Sequence, residues 1–440
     1  MAKFVLIGSG LAGGLLATYL GRRGDEVELY ERRADPRAGN FIGGRSINLA
    51  LSTRGIHALE QVGLAQQVLE HAIPMRGRMI HDKSGELHFS PHDVDPNKYI
   101  NSIGRAALNS TVIEAALRYP NVRVHFNHRC IGVDLDSATA HLVESGDERP
   151  VSASGDTVIG VDGAFSAVRE SMQKKLYGFR YDRSYLAHGY KELTIPPAPD
   201  GSWQMEKNAL HIWPRKSFMM IALPNPDGSF TCTLFWEVEG PRSFASVKND
   251  VDVYAFFEQE FPDAVPLMPA LLEDFRENPT GSLVTIRCAP WFHRDKVLLV
   301  GDAAHAVVPF YGQGMNAAFE DCFVLDECLA QLADRERAFA EYYRRRKRNA
   351  DALADLAVHN FVEMRDKTAS RLFRAKKKLD HLLQTALPRI YLPLYTMVTF
   401  TRIPYANAAR RAHRQDHIVL GALVTIVLTI VFRILRLVIR

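Results

Sequence analysis

Cysteine is scarce in this chain, and the cysteines that are present form no metal-binding or disulfide pattern. Among 440 residues there are five, scattered at Cys130, Cys232, Cys288, Cys322 and Cys328. They include no CxxC pair and no paired histidine spacing of the zinc type. Zinc ribbons and disulfide-stapled secreted domains are therefore excluded, and we expect reduced core thiols in a reducing compartment, without a metal site.

Strong net charge and internal repeats are also missing. The formal net charge is only +4, which does not argue for binding to nucleic acid. Met1 leads directly into an apolar run, so we expect no signal or transit peptide. With 440 residues, of which 47% are hydrophobic and 24% charged, the composition is typical of a globular protein with two or three interleaved lobes.

The beginning of the chain carries a nucleotide-binding pattern. A strand-like run, Lys3–Ile7, is followed by a glycine-rich turn, a helical pattern and a second strand, Glu26–Tyr30. In a βαβ fingerprint the glycines permit a tight turn, approach of a pyrophosphate and close packing of helix on strand, while an acid after the second strand reaches a ribose hydroxyl. This segment alone leaves FAD and NAD open. Its predicted cofactor contacts are Gly8, Gly10, Leu11, Ala12, Gly13, Glu31 and Arg32.

A second ligand pattern lies in Lys296–Cys322. An apolar run ends at Gly301-Asp302, and a helical pattern begins near Met315 after two further glycines. Asp302 is placed to accept a hydrogen bond from a ribityl hydroxyl, and a helix start stabilises the negative edge of a reduced flavin. Because no second GxGxxG exists, we expect FAD to be resident and any nicotinamide donor to visit a surface without its own Rossmann lobe. The predicted contacts are Asp302, Gly314, Met315 and Asn316.

A third string, Val158–Arg169, contains a strand that ends at Asp162-Gly163 and a helix that follows it. The three strings, in this order and spacing, resemble the single-component (class A) FAD-dependent aromatic hydroxylases. The resemblance implies an α/β fold in which a Rossmann-like FAD-binding lobe is interleaved with a mixed β-sheet substrate lobe, followed by a helical region and a hydrophobic C-terminal helix. It further implies that Ala50, Arg105, Cys130, Asp162 and Ala167 contact FAD.

The domain limits follow from the same resemblance. They are a FAD-binding fold over residues 1–340 with a substrate-binding sheet inserted at about 185–285, a helical region at 341–405 that completes the substrate pocket, and an anchor helix at 416–440. Arg344–Arg348, inside the helical region, has the pattern of a solvated helix face.

Four further strings resemble the kynurenine 3-monooxygenases within this family. They are Gly44–Gly55, Met75–His81, Tyr190–Pro196 and Leu392–Phe400. The resemblance implies an enzyme that hydroxylates L-kynurenine to 3-hydroxy-L-kynurenine with NADPH and O₂ through a C4a-hydroperoxyflavin, in the degradation of tryptophan. The aniline nitrogen activates the ring, so no strong catalytic base is required.

The substrate is a zwitterion. In an apolar pocket its carboxylate needs a fixed cation that donates two parallel hydrogen bonds, and an arginine side chain supplies both. The resemblance assigns this role to Arg78 and places Asn360 and Tyr395 at the substrate. His92 stands where relatives have a tyrosine that also contacts the carboxylate. Glu363 lies near the pocket and is the one candidate for a catalytic role.

Two other functions remain open at this point. A related flavin monooxygenase acting on another aromatic acid is favoured by His92 in place of tyrosine, whereas a halogenase is disfavoured by the absence of a WxWxIP string. A membrane-anchored flavoprotein that senses an aromatic ligand without turnover is the alternative from a different class.

The end of the chain carries an uncharged apolar run, Ile418–Phe432. Arginines flank the run on both sides, at Arg410, Arg411, Arg414, Arg433, Arg436 and Arg440. We expect an anchor that spans a lipid bilayer or lies in its interface, and the alternative is an amphipathic helix folded back on the globule. The catalytic part would then face the cytoplasm, at the outer mitochondrial membrane in a eukaryote, or at the inner membrane or free in the cytoplasm in a bacterium.

Overall fold

The computed structural model describes residues 1–38, 48–146, 148–364, 371–388 and 390–438, so the first four residues of the string Gly44–Gly55 lie outside the described residues. The strands are, in chain order, β1 (Lys3–Ile7), β2 (Glu26–Tyr30), β3 (Asn48–Leu51), β4 (Ile73–Met75), β5 (Gly77–His81), β6 (Leu87–Pro91), β7 (Ile100–Gly104), β8 (Val122–His125), β9 (His128–Asp134), β10 (Thr139–Glu144), β11 (Pro150–Ser154), β12 (Thr157–Gly160), β13 (Arg180–Ile195), β14 (Ala209–Pro214), β15 (Met219–Pro224), β16 (Phe230–Glu237), β17 (Gly281–Ala289), β18 (Phe292–His293) and β19 (Val297–Leu299). The helices are α1 (Leu11–Arg22), α2 (Thr53–Glu60), α3 (Ala65–Leu69), α4 (Arg105–Leu117), α5 (Ala167–Lys175), α6 (Asp250–Glu260), α7 (Leu271–Glu277), α8 (Asp302–His305), α9 (Gly314–Gln331), α10 (Arg335–Val362), α11 (Arg371–Ala386), α12 (Leu394–Phe400) and α13 (Tyr405–Val438).

The nucleotide-binding pattern forms the centre of a sheet with the order β18-β19-β12-β1-β2-β8. The strands from β19 to β8 are parallel, and β18 is antiparallel to β19. Helices cover such a sheet on both faces, which explains why its strands are almost continuously apolar and buried. The carboxyl ends of four neighbouring parallel strands meet at one edge, which lies next to Gly8, Glu31, Asp162 and Asp302.

A second, mixed sheet has the order β17-β13-β16-β15-β14-β5-β6. Its neighbours are antiparallel except for β14 and β5, which run parallel. Side chains alternate between its faces: Leu193 and Trp213 pack in one apolar cluster with α6 and α7, and Phe235 packs in another with Phe310 and Phe361. Two smaller antiparallel sheets, β11-β10-β9 and β3-β7-β4, complete the architecture.

This arrangement confirms the α/β class with mixed sheets and helices. Between Trp203 and Trp236 the strands β14, β15 and β16 run antiparallel to their neighbours. The domain limits stay predictions.

The final helix, α13, begins inside the globule. Tyr405 and Ala408 are buried in a cluster with Leu353 and Met397. From Leu420 onward its described apolar side chains are exposed. Over the described ranges, the structure contains no helix that is both long and apolar enough to cross a membrane.

Candidate functional site

The glycine-rich turn after β1 leaves open the space in front of α1. Gly8 has a φ of 105°, a left-handed conformation that glycine adopts without strain. A Cβ atom on Gly13 would lie 1.9 Å from the carbonyl oxygen of Gly8, so the helix packs directly on the turn. A Cβ atom on Gly10 would meet nothing within 4 Å, and Gly10 caps α1. The helix N-terminus therefore faces open space, as binding of a pyrophosphate requires.

Glu31 holds the turn from the end of β2. Its Oε2 atom accepts a hydrogen bond of 2.9 Å from the backbone N–H of Ser9, and Oε1 accepts one of 3.0 Å from that of Arg33. Arg32 is exposed beside it. Cys130, on β9, is half-buried, and burial raises the pKa of its thiol to about 12. Any contact of Cys130 with the cofactor is therefore that of a neutral thiol.

Asp162 follows β12 and fastens the start of α5. Its Oδ2 atom accepts a hydrogen bond of 2.7 Å from the backbone N–H of Ala167, whereas its Oδ1 atom is buried without a partner. Burial raises the pKa of Asp162. Arg169 donates hydrogen bonds to Ala164 O at 2.6 Å and Ala303 O at 2.7 Å, and so ties this loop to the next one.

Asp302 begins α8 at the carboxyl end of β19. The preceding glycine, Gly301, has a φ of 62°, and a Cβ atom there would lie 3.6 Å from that of Ala12. The two glycine-rich loops therefore meet. Asp302 is exposed to the cleft, but the protein around its carboxyl group limits hydration and raises its pKa.

Asn316 joins the start of α9 to β3. Its Nδ2 group donates hydrogen bonds of 2.8 Å to Ala50 O and to Gly312 O, and its Oδ1 atom accepts one of 2.9 Å from the N–H of Ser52. Gly314 is the first residue of the helix, and Met315 packs against the main core. The structure thus brings Ala50 and Asn316 together, although the residues are far apart in sequence.

Asp321, on α9, fastens the loop that carries Asp302. Its Oδ2 atom accepts a hydrogen bond of 3.1 Å from the N–H of Gly301 and lies 2.5 Å from His305 Nε2, while Oδ1 lies 2.5 Å from Arg346 Nε. Burial acts to raise the pKa of Asp321, but His305 and Arg346 outweigh it and hold the pKa below its usual range. These contacts give His305 a structural role, because they fasten residues 301–305, the cofactor loop, to α9 and α10.

The expectation that Arg344–Arg348 is a solvated face is wrong for Arg346, which is 3% exposed. Arg346 pairs with Glu320 and donates a hydrogen bond of 3.1 Å to Ala317 O. Glu320 also accepts one of 2.7 Å from Arg54. The side chain of Arg346 is buried because it faces α9, where two carboxylates stand next to each other.

The residues of this edge fit FAD. The open helix start at Gly10 can receive a pyrophosphate, and the buried, unpaired Oδ1 atom of Asp162 can accept a hydrogen bond from a ligand. Arg105 is exposed at the start of α4, and its charge acts on the pKa of Asp302. When FAD is bound, it supplies the reaction with O₂ after reduction by a nicotinamide.

On the mixed sheet, Arg78, His92 and Tyr395 form a compact polar group. The guanidinium carbon of Arg78 lies 4.8 Å from the centre of the Tyr395 ring, and Tyr395 Oη lies 3.1 Å from His92 Nδ1. Arg78 Nε and His92 Nε2 are buried without partners. Burial, followed by the charge of Arg78, lowers the pKa of His92 to about 3, so the ring is neutral.

Aromatic side chains connect this polar group to the cofactor loop. Tyr311 is stacked with Tyr395 at a centroid distance of 5.9 Å, and Phe310 is stacked with Phe361 at 4.1 Å. Asn360 is buried and donates a hydrogen bond of 2.7 Å to Phe310 O. The turn of Pro309–Tyr311 therefore lies between the cofactor loop and the mixed sheet. Its side chains Phe310 and Tyr311 form an aromatic wall between the two.

Glu363 lies at the C-terminal end of α10, where its carboxylate is 3.5 Å from Lys377 Nζ. The charges of Glu363 and Arg78 both act on Tyr311, whose pKa burial raises well above its usual value. Asn360 and Glu363 thus flank the aromatic wall, although the hydrogen bond of Asn360 is made within the protein.

Sequence reasoning missed two features of this region. Asp93 is buried and accepts hydrogen bonds from Gln384 at 3.0 Å and from Thr396 at 2.5 Å, so it pins the turn of His92 to α11 and α12. Glu192 lies on β13, and burial raises its pKa to about 7 against the charge of Arg105. No sequence signal in Tyr190–Pro196 indicated that a carboxylate there is desolvated.

Comparisons with known proteins agree with this geometry. Residues 1–357 match the FAD binding domain family. The chain is 50% identical to a kynurenine 3-monooxygenase of Myxococcus xanthus over 416 residues, which are 94% of this chain and 89% of the relative. It is 47% identical to that of Dictyostelium discoideum over 418 residues, 92% of this chain and 89% of the relative. The structure of 2-methyl-3-hydroxypyridine-5-carboxylic acid oxygenase has the same fold, with a TM-score of 0.67 and 22% identity over 88% of this chain and 98% of that one.

Proposed function

Because the chain belongs to the kynurenine 3-monooxygenase family of FAD-dependent enzymes, we propose that it hydroxylates L-kynurenine to 3-hydroxy-L-kynurenine with NADPH and O₂. FAD is the cofactor. The observation that carries the substrate is Arg78: a guanidinium with a buried, unpaired Nε atom, on the sheet face that also carries Ile212 and Phe235 of an apolar cluster. Such a pocket suits an aromatic amino acid, because it offers apolar area for the ring and one cation for the carboxylate.

Arg78 binds the substrate carboxylate in this proposal. Glu363 carries the opposite charge near Tyr311 and suits the ammonium group of the same zwitterion. Asn360 and Tyr395 hold the walls between which the ring lies. None of these residues has to remove a proton from the ring, because the aniline nitrogen supplies the electron density.

The aromatic wall of Phe310 and Tyr311 separates the substrate from bulk water. Exclusion of water protects the reactive form of the cofactor from unproductive breakdown, so the coupling of NADPH oxidation to product depends on how well the ring fills the pocket. In this proposal FAD lies against Gly8, Glu31, Asp162 and Asp302, which follow the carboxyl ends of the parallel strands.

The proposal is tested with FAD-loaded protein, NADPH and L-kynurenine in air. We expect NADPH oxidation that depends on kynurenine, with 3-hydroxykynurenine formed in proportion and identified by mass spectrometry. Kynurenine-dependent oxidation that yields only hydrogen peroxide would favour another aromatic acid as the substrate. If kynurenine binds but NADPH oxidation does not change, the protein is a sensor.

For the C-terminal helix we propose binding to a membrane surface. Ile418, Leu420 and Leu428 are 71%, 59% and 63% exposed on α13, and basic residues precede them. A helix of this kind lies in the interface of an anionic bilayer.

The membrane proposal is tested by sedimentation of the protein with vesicles that contain or lack anionic lipid. We expect binding to anionic vesicles that the double change Leu420→Ser, Leu428→Ser abolishes. Leu382→Ser on α11, where the side chain is 64% exposed, is the matched control and should leave binding intact. Equal sedimentation with and without vesicles would reject the proposal.

A further inference from the structure

We propose that His92 is a neutral hydrogen-bond donor, held as its Nε2–H tautomer by Tyr395, and that it forms with Arg78 a two-donor site for the substrate carboxylate. This inference rests on the proposed function and deepens it. It concerns how a histidine can bind an anion without a charge of its own.

The position of His92 makes it part of the site. It is 5% exposed and lies in the turn after β6, where its backbone N–H donates a hydrogen bond of 3.1 Å to Arg76 O beside β5. Its ring is stacked with that of Tyr395 at 5.5 Å and 20°. The backbone of His92 and one face of its ring are therefore held, and a half-turn of the ring would break the contact of Nδ1 with Tyr395.

The ring carries one proton at neutral pH. Removal from water and the cation of Arg78 both disfavour the imidazolium form, which is why its pKa lies at about 3. The adjacent carboxylate of Asp93 is engaged by Gln384, Thr396 and Lys98, so it does not stabilise a charged His92. Lys377 and His381 on α11 add no negative charge to this surrounding. The remaining question is which nitrogen holds the proton.

The hydrogen-bonding capacity of the neighbours answers it. The guanidinium of Arg78 lies over the ring of Tyr395 and has no acceptor atom, so it does not take the phenol hydrogen. The one hydrogen of the phenol is then free to point to His92 Nδ1, at 3.1 Å. With Nδ1 as the acceptor, the proton is on Nε2. The opposite tautomer would direct an Nε2 lone pair into the site, where it would repel a carboxylate.

Two donors are then left without partners. His92 Nε2 and Arg78 Nε are both buried and unpaired. A buried donor without an acceptor costs about 1–3 kcal/mol, and two of them beside a positive charge are the counterpart of a carboxylate with two oxygen atoms. The group is therefore a ligand site whose specificity depends on His92 as well as on Arg78.

The test replaces His92 by glutamine or asparagine, each of which keeps a hydrogen-bonding group at the position of one ring nitrogen. The amide N–H of glutamine reaches the position of Nε2, whereas that of asparagine reaches the position of Nδ1. We measure the binding of L-kynurenine to FAD-loaded protein by calorimetry without NADPH. The expected Kd changes are less than about threefold for His92→Gln and about tenfold for His92→Asn and His92→Phe.

Two further measurements separate this role from a structural one. With a substrate analogue whose carboxylate is a neutral carboxamide, the difference between His92→Gln and His92→Phe should shrink below about twofold. Labelled with ¹⁵N, His92 should show the Nε2–H tautomer, with its signal assigned by its loss in His92→Gln. The unfolding midpoint and flavin spectrum check each variant, and the Gln and Asn variants still report if the Phe variant does not fold.

Several results would overturn the inference. They are binding by His92→Phe equal to that of the unchanged protein, tighter binding by Asn than by Gln, an Nδ1–H tautomer, or kynurenine affinity that falls as the pH rises through about 6–7, as an imidazolium would produce. If kynurenine does not bind the unchanged protein at all, the proposed function fails and this inference fails with it. If the unchanged protein turns over kynurenine but one of the four results above is found, the proposed function stands and only the inference about His92 is rejected.

Discussion

Buried polar groups occur on both sides of the cleft, but Glu320, Asp321 and Arg346 behind the cofactor loop are fully paired, whereas Arg78 and His92 beside the mixed sheet are not. Behind the loop, the nitrogen atoms of Arg346 and the carboxylate oxygens of Glu320 and Asp321 all have partners in the protein. On the sheet, Arg78 and His92 each keep a buried nitrogen atom without one. The first arrangement holds the fold together, whereas the second awaits a ligand. Substitutions behind the cofactor loop should therefore lower the free energy of unfolding, whereas substitutions beside the mixed sheet should lower the affinity for the substrate.

The largest effect is expected from Asp321→Asn. Loss of one partner from a buried ion network costs about 3–5 kcal/mol, because the remaining charges stay buried without compensation. Chemical unfolding should show this loss, together with weaker retention of FAD. Because Asp321 has a pKa below its usual range in the folded protein, its stabilisation is present at neutral pH and fades as the pH falls below about 4.

Asp326→Asn is the matched control, since it makes the same change on the same helix. Asp326 pairs with Arg23 at a partly exposed site, 28% for both side chains, so the expected cost is about 0–1 kcal/mol. Equal destabilisation by the two substitutions would mean that the network behind the loop has no special role.

Arg78→Met should lower affinity for kynurenine by about 2–3 kcal/mol, or about a hundredfold in Kd, while the free energy of unfolding stays the same or rises. The substitution removes a buried donor that the protein itself does not satisfy. Calorimetric titration and unfolding in the same buffer measure both quantities. Arg76→Met, two residues away and exposed, is the control and should leave affinity intact. Destabilisation by Arg78→Met comparable to that of Asp321→Asn would contradict the comparison.

Gly10→Ala should weaken FAD binding by about tenfold and leave the flavin-free fold intact, because its Cβ atom would enter only the open space in front of α1. Fluorescence titration of stripped protein with FAD measures the affinity. Gly421→Ala, where a Cβ atom also meets nothing, serves as the control. Undiminished FAD affinity in Gly10→Ala would place the pyrophosphate elsewhere.

Glu192→Gln should change how stability depends on pH. Burial raises the pKa of Glu192 to about 7, so the folded protein keeps a proton there that the unfolded chain releases at lower pH. The glutamate therefore loses stability as the pH rises from about 4.5 to 7, and the variant should be more stable above pH 7. Thermal unfolding of both proteins across this range should show the difference, and parallel pH profiles would reject it.

Much of the cofactor side could be predicted because it depends on local patterns. The strand, turn and helix around Gly8–Gly13 lie where the sequence places them, as do the ends of the strands before Asp162 and Asp302. Backbone geometry within a few residues decides these features. The roles of these residues in binding FAD remain predictions until a cofactor is titrated.

Arg346 shows that a run of charged residues can contain one that is buried. Buried residues on α10 recur at Tyr342, Arg346, Ala350 and Leu353, a helical spacing that runs through the arginine. That stripe, together with the adjacent carboxylates of Glu320 and Asp321, was available in the sequence as a signal. The hydrogen bond between His92 and Tyr395 was not, because 303 residues separate the two and tertiary packing alone brings them together.

The most direct test of the account is one turnover experiment under ¹⁸O₂. FAD-loaded protein with NADPH and L-kynurenine should yield 3-hydroxykynurenine that carries a single ¹⁸O atom, in proportion to the NADPH consumed. An unlabelled product, or consumption of NADPH with hydrogen peroxide as the only oxygen product, would contradict it.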